Sequence, residues 1–355
     1  MRVVITTDSV GGVWDHTLAL GRALARSGHE AVLAHFGPPP SPTHVQQARS
    51  ARLRLEAAPY PLEWMPGGIA QAPQARGWLR QLAQRVGAHA VHCNSYTHVD
   101  EASPLPQVLV AHSTLHGWWE AVRGTSPPAE WEPYRDAVAH ALQAAHRVAA
   151  PTAAVGHELA RHYARVSVEP VPNGIETPPA RRAVRKSSVL AGGRLWDEGK
   201  GHRVLDAAAA RLQWPVLATG STQGPSGRAT FRNLRTLGYL APDLLDVAYR
   251  EAGLYANPAL YEAFGLGALE AAARGAPLLV SDLPSQREVW GDAAAYAPPG
   301  DVDSWRDALH RLVEDPDRRA RLGAAARRQA GRYTATAMAD AYLSLYASVV
   351  PQVHA

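Results

Sequence analysis

Short runs of apolar, mostly β-branched residues alternate along the chain with longer segments whose apolar residues recur at helical spacing. The near-continuous apolar content of the short runs predicts strands that are buried on both faces. The predicted strands are 2–7, 31–35, 90–94, 107–111, 147–150, 167–171, 188–193, 214–219, 252–258 and 277–280. The predicted helices are 15–26, 75–86, 131–142, 152–163, 202–212, 242–252, 300–313, 318–330 and 334–349. This alternation predicts an α/β protein with parallel sheets.

The domain organisation follows from length and from a break in the pattern. A chain of 355 residues favours two domains. The stretch 172–179 combines proline, Asn-Gly and little apolar content, and the basic cluster 181–186 follows it, which is typical of a linker. We therefore predict one Rossmann-like domain over 1–172, a second over 173–333, and a terminal helical segment over 334–355.

Composition and charge exclude several classes of protein. Apolar residues make up 46% of the chain and charged residues 19%, so the chain has enough apolar residues for two packed cores, and disorder is disfavoured. The net charge of +4 is spread out: through Ile175 there are 14 Arg against 13 Asp plus Glu, which is +1 and leaves +3 for the rest. Nucleic-acid binding needs a clustered basic stripe, so it is disfavoured.

Cysteine and hydropathy indicate the compartment. Cys93 is the single cysteine, which excludes disulfides within the chain and disfavours a cysteine-based zinc site; we predict a buried strand residue. No run reaches the roughly 18 apolar residues of a membrane span, and the N-terminus enters a strand instead of a signal-peptide segment. We expect a cytoplasmic protein without an integral membrane segment, with peripheral membrane contact left open.

The stretch 261–270, Tyr-Glu-Ala-Phe-Gly-Leu-Gly-Ala-Leu-Glu, carries the strongest candidate chemistry. It follows a predicted strand and opens a helix near Gly265, so Glu262 is expected in a turn and Glu270 in the helix. Unpaired amides at a helix start, with glycines that allow close approach, form an anion site. Two carboxylates eight residues apart lie about 10 Å from each other along a helix. They suit the two ends of a long anionic ligand such as a nucleotide sugar.

A second turn supplies cations. Arg194 and Lys200 lie between the strand ending at Gly193 and the helix beginning at 202. A guanidinium fork and a compact ammonium are the groups that a diphosphate needs. The chain has only two lysines, Lys186 and Lys200, so a lysine at this turn is a specific signal. Their charge would neutralise a departing nucleotide.

The first strand is followed by a glycine turn, Gly11-Gly12. It does not form Gly-x-Gly-x-x-Gly, so the dinucleotide fingerprint fails and a nicotinamide enzyme is disfavoured. A phosphate-binding P-loop is also missing from the sequence. A tight turn that needs positive φ is the alternative interpretation of the two glycines.

Taken in order, these motifs resemble glycosyltransferase family 4, retaining enzymes of the GT-B fold. The resemblance rests on Glu-x7-Glu at 262–270, Gly-Arg-Leu-x5-Gly at 193–201 and Pro-Asn-Gly-Ile-Glu at 172–176, where Glu176 replaces the usual aspartate. It implies two Rossmann-like domains facing a central cleft, an N-terminal acceptor-binding one and a C-terminal nucleotide-sugar-binding one. It also implies that the last helix crosses back to pack on the N-terminal domain.

The resemblance also implies roles for individual residues. Glu262 would face the donor sugar and Glu270 would bind the ribose. Arg194 and Lys200 would hold the diphosphate without a metal. Other donor contacts would come from Gly11, Gly12, Gly193, Tyr239, Phe264, Gly265, Leu266 and Gly267.

On the acceptor side the sequence gives less. His112 follows the strand 107–111, where family 4 members often carry a histidine near the sugar and the acceptor. Trp118 and Trp14 could stack on a sugar or form an apolar acceptor wall, although tryptophans more often complete a core. The acceptor itself stays open among a small molecule, a glycan and a lipid-linked sugar.

The resulting hypothesis is a retaining hexosyltransferase that uses a nucleoside-diphosphate sugar as co-substrate, with no cofactor and no metal, and with Glu262, His112, Arg194 and Lys200 as its catalytic residues. Two alternatives remain: a sugar-nucleotide epimerase of related two-domain fold, and a nucleotide-sugar-binding protein without catalysis. An epimerase would convert the donor with no acceptor present, which separates it from a transferase.

Overall fold

A computed structural model describes residues 1–163, 166–179, 181, 183–224 and 227–350. The backbone forms two compact units. Unit 1 contains Met1–Glu120, Thr125–Glu176 and the stretch from Thr334 onward, and unit 2 contains Ala121–Gly124 and Thr177–Tyr333. Two parts of the predictions, residues 351–355 of the terminal segment and Arg182 of the basic cluster, lie outside the described residues.

Strands and helices alternate through the described residues up to Glu176. The strands are β1 (Arg2–Thr7), β2 (Glu30–His35), β3 (Arg54–Ala57), β4 (Ala90–Cys93), β5 (Gln107–Val110), β6 (Arg147–Ala150) and β7 (Val168–Pro170). The α-helices are α1 (Val13–Arg26), α2 (Pro42–Ser50), α3 (Ala72–Arg85), α4 (Leu115–Arg123), α5 (Glu132–Ala144) and α6 (Ala153–His162). Short 3-10 turns lie at Tyr96–His98 and Ala129–Trp131.

The same alternation continues in the described part of unit 2. The strands are β8 (Lys186–Gly192), β9 (Val216–Thr219), β10 (Gln223–Gly224), β11 (Gly227–Arg228), β12 (Leu234–Gly238), β13 (Ala252–Asn257), β14 (Leu278–Ser281) and β15 (Ala295–Ala297). The helices are α7 (His202–Ala208), α8 (Pro242–Glu251), α9 (Leu266–Ala273), α10 (Pro284–Trp290), α11 (Val302–Glu314) and α12 (Pro316–Ala330), with 3-10 turns at Glu198–Lys200 and Gly291–Ala293. The last helix of the chain is α13 (Ala335–Val349). None of the described helices has the length and apolar character needed to cross a membrane.

Each unit is built around one parallel sheet. The strand orders are β3-β2-β1-β4-β5-β6-β7 in unit 1 and β12-β9-β8-β13-β14-β15 in unit 2. The order reverses between β1 and β4 in the first sheet and between β8 and β13 in the second, and both pairs are parallel. Open α/β sheets bind ligands outside the carboxyl ends of their strands at this reversal. The predicted α/β class with two Rossmann-like halves is confirmed, and the topology marks one candidate crevice in each half.

The terminal helix belongs to unit 1. Met338, Tyr342 and Tyr346 of α13 are at most 2% exposed and pack in one apolar cluster with Leu20 and Leu24 of α1. A parallel bridge between Ile175 and Thr334 brings the start of this helix beside the end of unit 1. The prediction that the last helix returns to the N-terminal half is therefore confirmed.

The region between β2 and α3 departs from the predicted elements. The sequence, with its proline-rich stretch 37–42, predicts no helix or strand between residues 36 and 74, whereas α2 and β3 lie in this interval. The Ser41 hydroxyl accepts a hydrogen bond from the His44 amide, and Pro42 occupies the first turn, where a missing amide hydrogen costs nothing. The last residue of the proline run therefore begins a helix instead of extending the loop.

Candidate functional site

The candidate crevice of unit 2 begins at the turn after β8. Gly193 has φ +126°, a conformation that side-chain-bearing residues rarely adopt, so the chain turns sharply as it leaves the sheet. The 3-10 turn Glu198–Lys200 follows, and Gly201 (φ +64°) leads into α7. This segment carries both predicted cations, Arg194 and Lys200.

Asp197 organises this turn. Its Oδ1 accepts from the Gly199 amide at 2.9 Å, and its Oδ2 accepts from Nε and Nη2 of Arg194 at 3.2 and 2.7 Å. The aspartate side chain is 8% exposed and the arginine side chain 34%. Both bonds use one edge of the guanidinium, so its Nη1 is the group that a ligand can engage.

Backbone contacts tie this turn to the loop after β13. The Gly199 carbonyl accepts from the amides of Leu260 and Tyr261 at 2.8 and 3.1 Å. Gly201 stands so close to the Pro258 carbonyl that a Cβ at this position would overlap it. The two loops that flank the strand reversal are therefore locked together, which sets the position of Lys200.

Lys200 forms an ion pair with Glu262. Its Nζ lies 2.9 Å from Glu262 Oε2, and the two side chains are 22% and 13% exposed. The same carboxylate oxygen accepts a longer bond, 3.4 Å, from Asn257 Nδ2. With Arg194 and Asp197, the crevice thus holds two cations and two carboxylates. A diphosphate that binds there competes with Glu262 for the Lys200 ammonium.

Helix α9 starts beside this ion pair. Its N-cap residue, Gly265, has φ +93° and supplies no side-chain cap, so the first-turn amides of this eight-residue helix lack an intrahelical acceptor. Leu266 is its first residue, and Phe264, two residues earlier, is buried edge-on against Tyr333 with ring centroids 5.4 Å apart. These amides carry the positive end of the helix dipole.

Glu270 lies half-buried one turn further along α9. Burial raises the pKa of its carboxyl group, while Arg274 and a hydrogen bond from Tyr249 oppose the rise. Arg274 is itself held, because it donates to the Glu270 carbonyl oxygen at 2.9 Å and to Asp246 at 2.7 Å. The carboxyl group of Glu270 is thus oriented by Tyr249 as an acceptor for hydroxyl groups.

Gly267 packs on a buried tyrosine. A Cβ at Gly267 would lie 2.5 Å from Tyr255 Oη, and Tyr255 is 2% exposed on β13. We expect Gly267→Ala to destabilise the protein by about 1–3 kcal/mol, because the methyl group overpacks this position. Urea unfolding should show that adding Tyr255→Phe, which removes the oxygen, recovers most of the loss.

The control is Gly77→Ala in α3, where nothing lies within 4 Å of the added Cβ. Alanine is the better helix former by about 1 kcal/mol, so this change should stabilise. A Gly267→Ala protein that is as stable as Gly77→Ala would show that the tyrosine does not limit this site.

Tyr239 follows β12 and is 79% exposed. The β12 strand lies at the edge of the unit 2 sheet, two strands from β8. Its ring is therefore accessible to a nucleobase, and the predicted base contact stays a prediction.

In unit 1, the predicted residues Gly11 and Gly12 follow β1, one of the two strands at the reversal. His112 follows β5, which lies beside the other one, β4. Gly12 caps α1 with φ −68°, a right-handed value, so the alternative explanation by positive φ does not apply to it. Asn94 Oδ1 accepts from His112 Nε2 at 2.7 Å and from His92 Nε2 at 3.1 Å. Since this amide oxygen can only accept, both rings carry their proton on Nε2 when neutral.

Three histidines form a cluster here: His16 and His92 are buried, and His112 is half-buried. The His16 ring lies 4.9 Å from His112 and 6.1 Å from His92, and His92 Nδ1 pairs with Tyr346 Oη of α13 at 2.6 Å. Burial lowers the pKa of His16 to about 4 and that of His92 to about 3; burial and the two neighbouring rings hold the pKa of His112 well below its usual range. All three rings are therefore neutral at pH 7.

This cluster predicts acid sensitivity. The folded pKa values lie below the ordinary value of 6.5, so the unfolded chain binds protons first as the pH falls. Stability should drop from pH 6.5 downward, by up to about 1.4 kcal/mol per pH unit for each histidine. Urea unfolding at pH 7.5, 6.5 and 5.5 should give a smaller slope for His92→Gln. The exposed His140→Gln control should keep the wild-type slope.

The predicted acceptor role of Trp14 is wrong. Its ring is 3% exposed in the core of unit 1, and its indole N–H donates to Gln47 Oε1 at 2.7 Å. The partner, Gln47, comes from α2, the helix that the sequence did not predict. Trp118 is half-buried on α4 against Trp119, with ring centroids 5.8 Å apart, and its acceptor role stays a prediction.

Unit 2 therefore brings together most of the predicted donor residues: Gly193, Arg194, Lys200, Glu262, Phe264, Gly265, Leu266, Gly267 and Glu270. Sequence reasoning missed the residues that support them, namely Asp197, Tyr249, Tyr255, Asn257, Ser285 and Gln286. Of these, Asp197 gave a usable signal, a capping residue two positions before Gly199 in a cation-bearing turn. The others act through contacts made only in the fold.

Two doubly wound parallel sheets, one with cations and carboxylates at its strand reversal, define a protein of the GT-B class. Sucrose-phosphate synthase from Thermosynechococcus elongatus has the same fold: it superposes with a TM-score of 0.78 over 98% of this chain and 99% of that one, at 18% identity. The family model for Glycosyltransferase Family 4 matches residues 10–178, and the one for Glycosyl transferases group 1 matches residues 230–329. These two matches, over separate parts of the chain, support the family 4 type of glycosyltransferase that the sequence motifs predicted.

Curated relatives are similar over part of their length. O-antigen chain mannosyltransferase B of Escherichia coli is 29% identical over 137 residues, which cover 39% of this chain and 31% of that protein. D-inositol 3-phosphate glycosyltransferase of Corynebacterium jeikeium (strain K411) is 32% identical over 177 residues, 44% of this chain and 42% of that protein. The chain thus matches less than half the length of these relatives.

Proposed function

We propose that the protein transfers a sugar, with retention of anomeric configuration and without a metal ion, from a nucleoside-diphosphate sugar to an acceptor hydroxyl. One observation carries this proposal: the Lys200–Glu262 ion pair lies beside the uncapped start of α9. In this arrangement the lysine and the helix amides are the groups for the phosphate, and the adjacent carboxylate is the group for the attached sugar. The names of the relatives, a mannosyltransferase and a glycosyltransferase, support the same class of reaction.

The diphosphate is the leaving group, and catalysis depends mainly on stabilising the negative charge that develops on it in the transition state. As the bond from the sugar C1 to the phosphate oxygen breaks, negative charge grows on the diphosphate. Lys200, the Nη1 edge of Arg194 and the first amides of α9 are fixed before the reaction starts, so they stabilise this charge without reorganising. Groups of this kind are worth about 10²–10³ in rate each.

When the donor binds, two contacts with the donor replace the Lys200–Glu262 ion pair. The phosphates take the Lys200 ammonium, and hydroxyl groups of the sugar take the Glu262 carboxylate. A nucleoside diphosphate without sugar satisfies only the lysine, and it leaves a glutamate that is 13% exposed without its partner. The pair therefore favours the intact donor over the product.

Retention follows if the acceptor attacks on the side that the diphosphate leaves. The acceptor oxygen bonds to C1 as the C1–O bond to phosphate breaks, and a leaving phosphate oxygen takes the hydroxyl proton. No enzyme nucleophile is needed. His112, neutral and with its Nδ1 available as an acceptor in that tautomer, is the residue that we propose for the acceptor hydroxyl.

A thermal-shift screen tests the donor site. Nucleoside diphosphates and mannosyl, glucosyl and N-acetylglucosaminyl nucleotides are each added with and without EDTA. At 100 times its dissociation constant a true ligand adds about 2.7 kcal/mol of stability, a shift of several degrees. The proposal expects that nucleotides of one particular base raise the melting temperature equally with and without EDTA. Lys200→Met should abolish this rise. No shift with any member would refute it.

The same panel separates the alternatives when product formation is followed. A transferase forms product only with an acceptor, and the anomeric configuration of that product, determined by NMR, reports retention. Conversion of the donor without an acceptor would support the epimerase. Binding with neither reaction would support the non-catalytic protein.

A further inference from the structure

Helix α10 begins against the loop that carries Glu262. The Ser285 hydroxyl donates to the carbonyl oxygen of Glu262, and Gln286 Nε2 donates to the carbonyl oxygen of Phe264 at 3.0 Å. Ser285 is 5% exposed and Gln286 is fully buried. Two consecutive residues at the start of α10 thus hold the carbonyl groups of Glu262 and Phe264, which are two residues apart in this loop.

These two bonds fix the direction of the loop's amides. In a trans peptide the N–H of a residue points opposite to the carbonyl of the residue before it. With the carbonyls of Glu262 and Phe264 turned toward α10, the amides of Ala263 and Gly265 are turned away from it. Residues 258–265 belong to no helix or strand, so this loop has no ladder of its own to set the orientation.

The support is itself rigid. The Tyr296 hydroxyl donates to the Gly291 carbonyl at 2.7 Å and lies 3.3 Å from the Gln286 carbonyl oxygen, and the Arg287 guanidinium stacks 3.7 Å over the Tyr296 ring. Gln286 Oε1 is buried and has no hydrogen-bond partner among the described residues; it lies 3.3 Å from where a Gly265 Cβ would stand. Gln286 is fully buried, so its side chain has little room to leave the bond to the Phe264 carbonyl.

We propose that Ser285 and Gln286 are positioning residues of the donor loop. They aim the Glu262 carboxylate at the sugar and the Gly265 amide at the diphosphate, without touching the substrate themselves. This inference rests on the proposed function. It assigns the reaction two residues from a helix that carries no part of the Glu-x7-Glu motif.

The experiment compares matched variants at a temperature where all are folded. Ser285→Ala and Gln286→Met should lower kcat about tenfold or more, as expected for a small misplacement of a reacting group. Their dissociation constants for the nucleoside diphosphate should stay within about threefold, because Arg194 and Lys200 still hold it. Ser285→Thr keeps the hydroxyl and should restore most of kcat.

The control is Gln107→Met. Gln107 is also a buried glutamine, 2% exposed, whose Nε2 donates to a backbone carbonyl, that of Asp100, at 2.6 Å, but it lies on β5 of unit 1. It should lower the melting temperature as Gln286→Met does and leave kcat unchanged. If Ser285→Ala and Gln286→Met lose stability but keep kcat, the inference is overturned alone. If the wild-type protein turns over no nucleotide sugar, the proposed function fails and the inference with it.

Discussion

Glu262→Gln is expected to lower sugar transfer by more than about 100-fold while nucleoside-diphosphate binding is kept. The carboxylate faces the sugar in the proposed arrangement, and the amide cannot replace its charge. The affinity for the nucleoside diphosphate should even rise by up to about fivefold, because the substitution frees the Lys200 ammonium from its ion pair. The summed charge of the Arg194–Asp197 and Lys200–Glu262 pairs then changes from 0 to +1. Steady-state kinetics and calorimetry on the same protein measure the two effects.

The matched control is Glu251→Gln. Glu251 also pairs with a lysine, Lys186, but at an exposed site, so neither transfer nor nucleotide affinity should change. Transfer that survives Glu262→Gln, or nucleotide binding that disappears with it, would contradict the assignment of this carboxylate to the sugar.

Lys200→Met is expected to weaken both binding and turnover. A charged hydrogen bond to phosphate is worth about 1.5–3 kcal/mol, so the dissociation constant of the nucleoside diphosphate should rise about 10- to 100-fold. The transition state carries more charge on the diphosphate than the ground state, so kcat/KM should fall further, by about 10²–10³. Calorimetry with the diphosphate and initial-rate kinetics with the sugar donor give the two numbers.

The chain provides its own control, because Lys186 is its other lysine. Lys186 is 65% exposed in its ion pair, and Lys186→Met should leave both numbers at wild-type values. Equal effects of the two substitutions would mean that general electrostatic attraction, and not this crevice, binds the nucleotide.

Local patterns in the sequence predicted the elements that have their signals nearby. Thr152, the first residue of the predicted helix 152–163, caps α6, its hydroxyl accepting from the Val155 amide. The helix of the Glu-x7-Glu motif begins at Leu266, one residue after the glycine that was expected to open it. Repeated alternation of apolar runs with amphipathic segments was enough for the class of fold, since few arrangements bury both.

The supporting residues could not be predicted in the same way. Gln286 matters because its amide reaches a carbonyl 22 residues earlier, and Ser285 one 23 residues earlier. Trp14 stands next to a glycine turn, where an acceptor contact and a core position look alike in sequence. Its burial depends on α2, whose start was hidden in a run of prolines.

The central claim is that a diphosphate binds between the cations of the β8 turn and the start of α9. A crystal structure with a nucleoside diphosphate tests it most directly. The account predicts phosphate oxygens about 3 Å from Lys200 Nζ and from first-turn amides of α9, with the Lys200–Glu262 pair broken. A diphosphate bound elsewhere, with that ion pair intact at 2.9 Å, would contradict it.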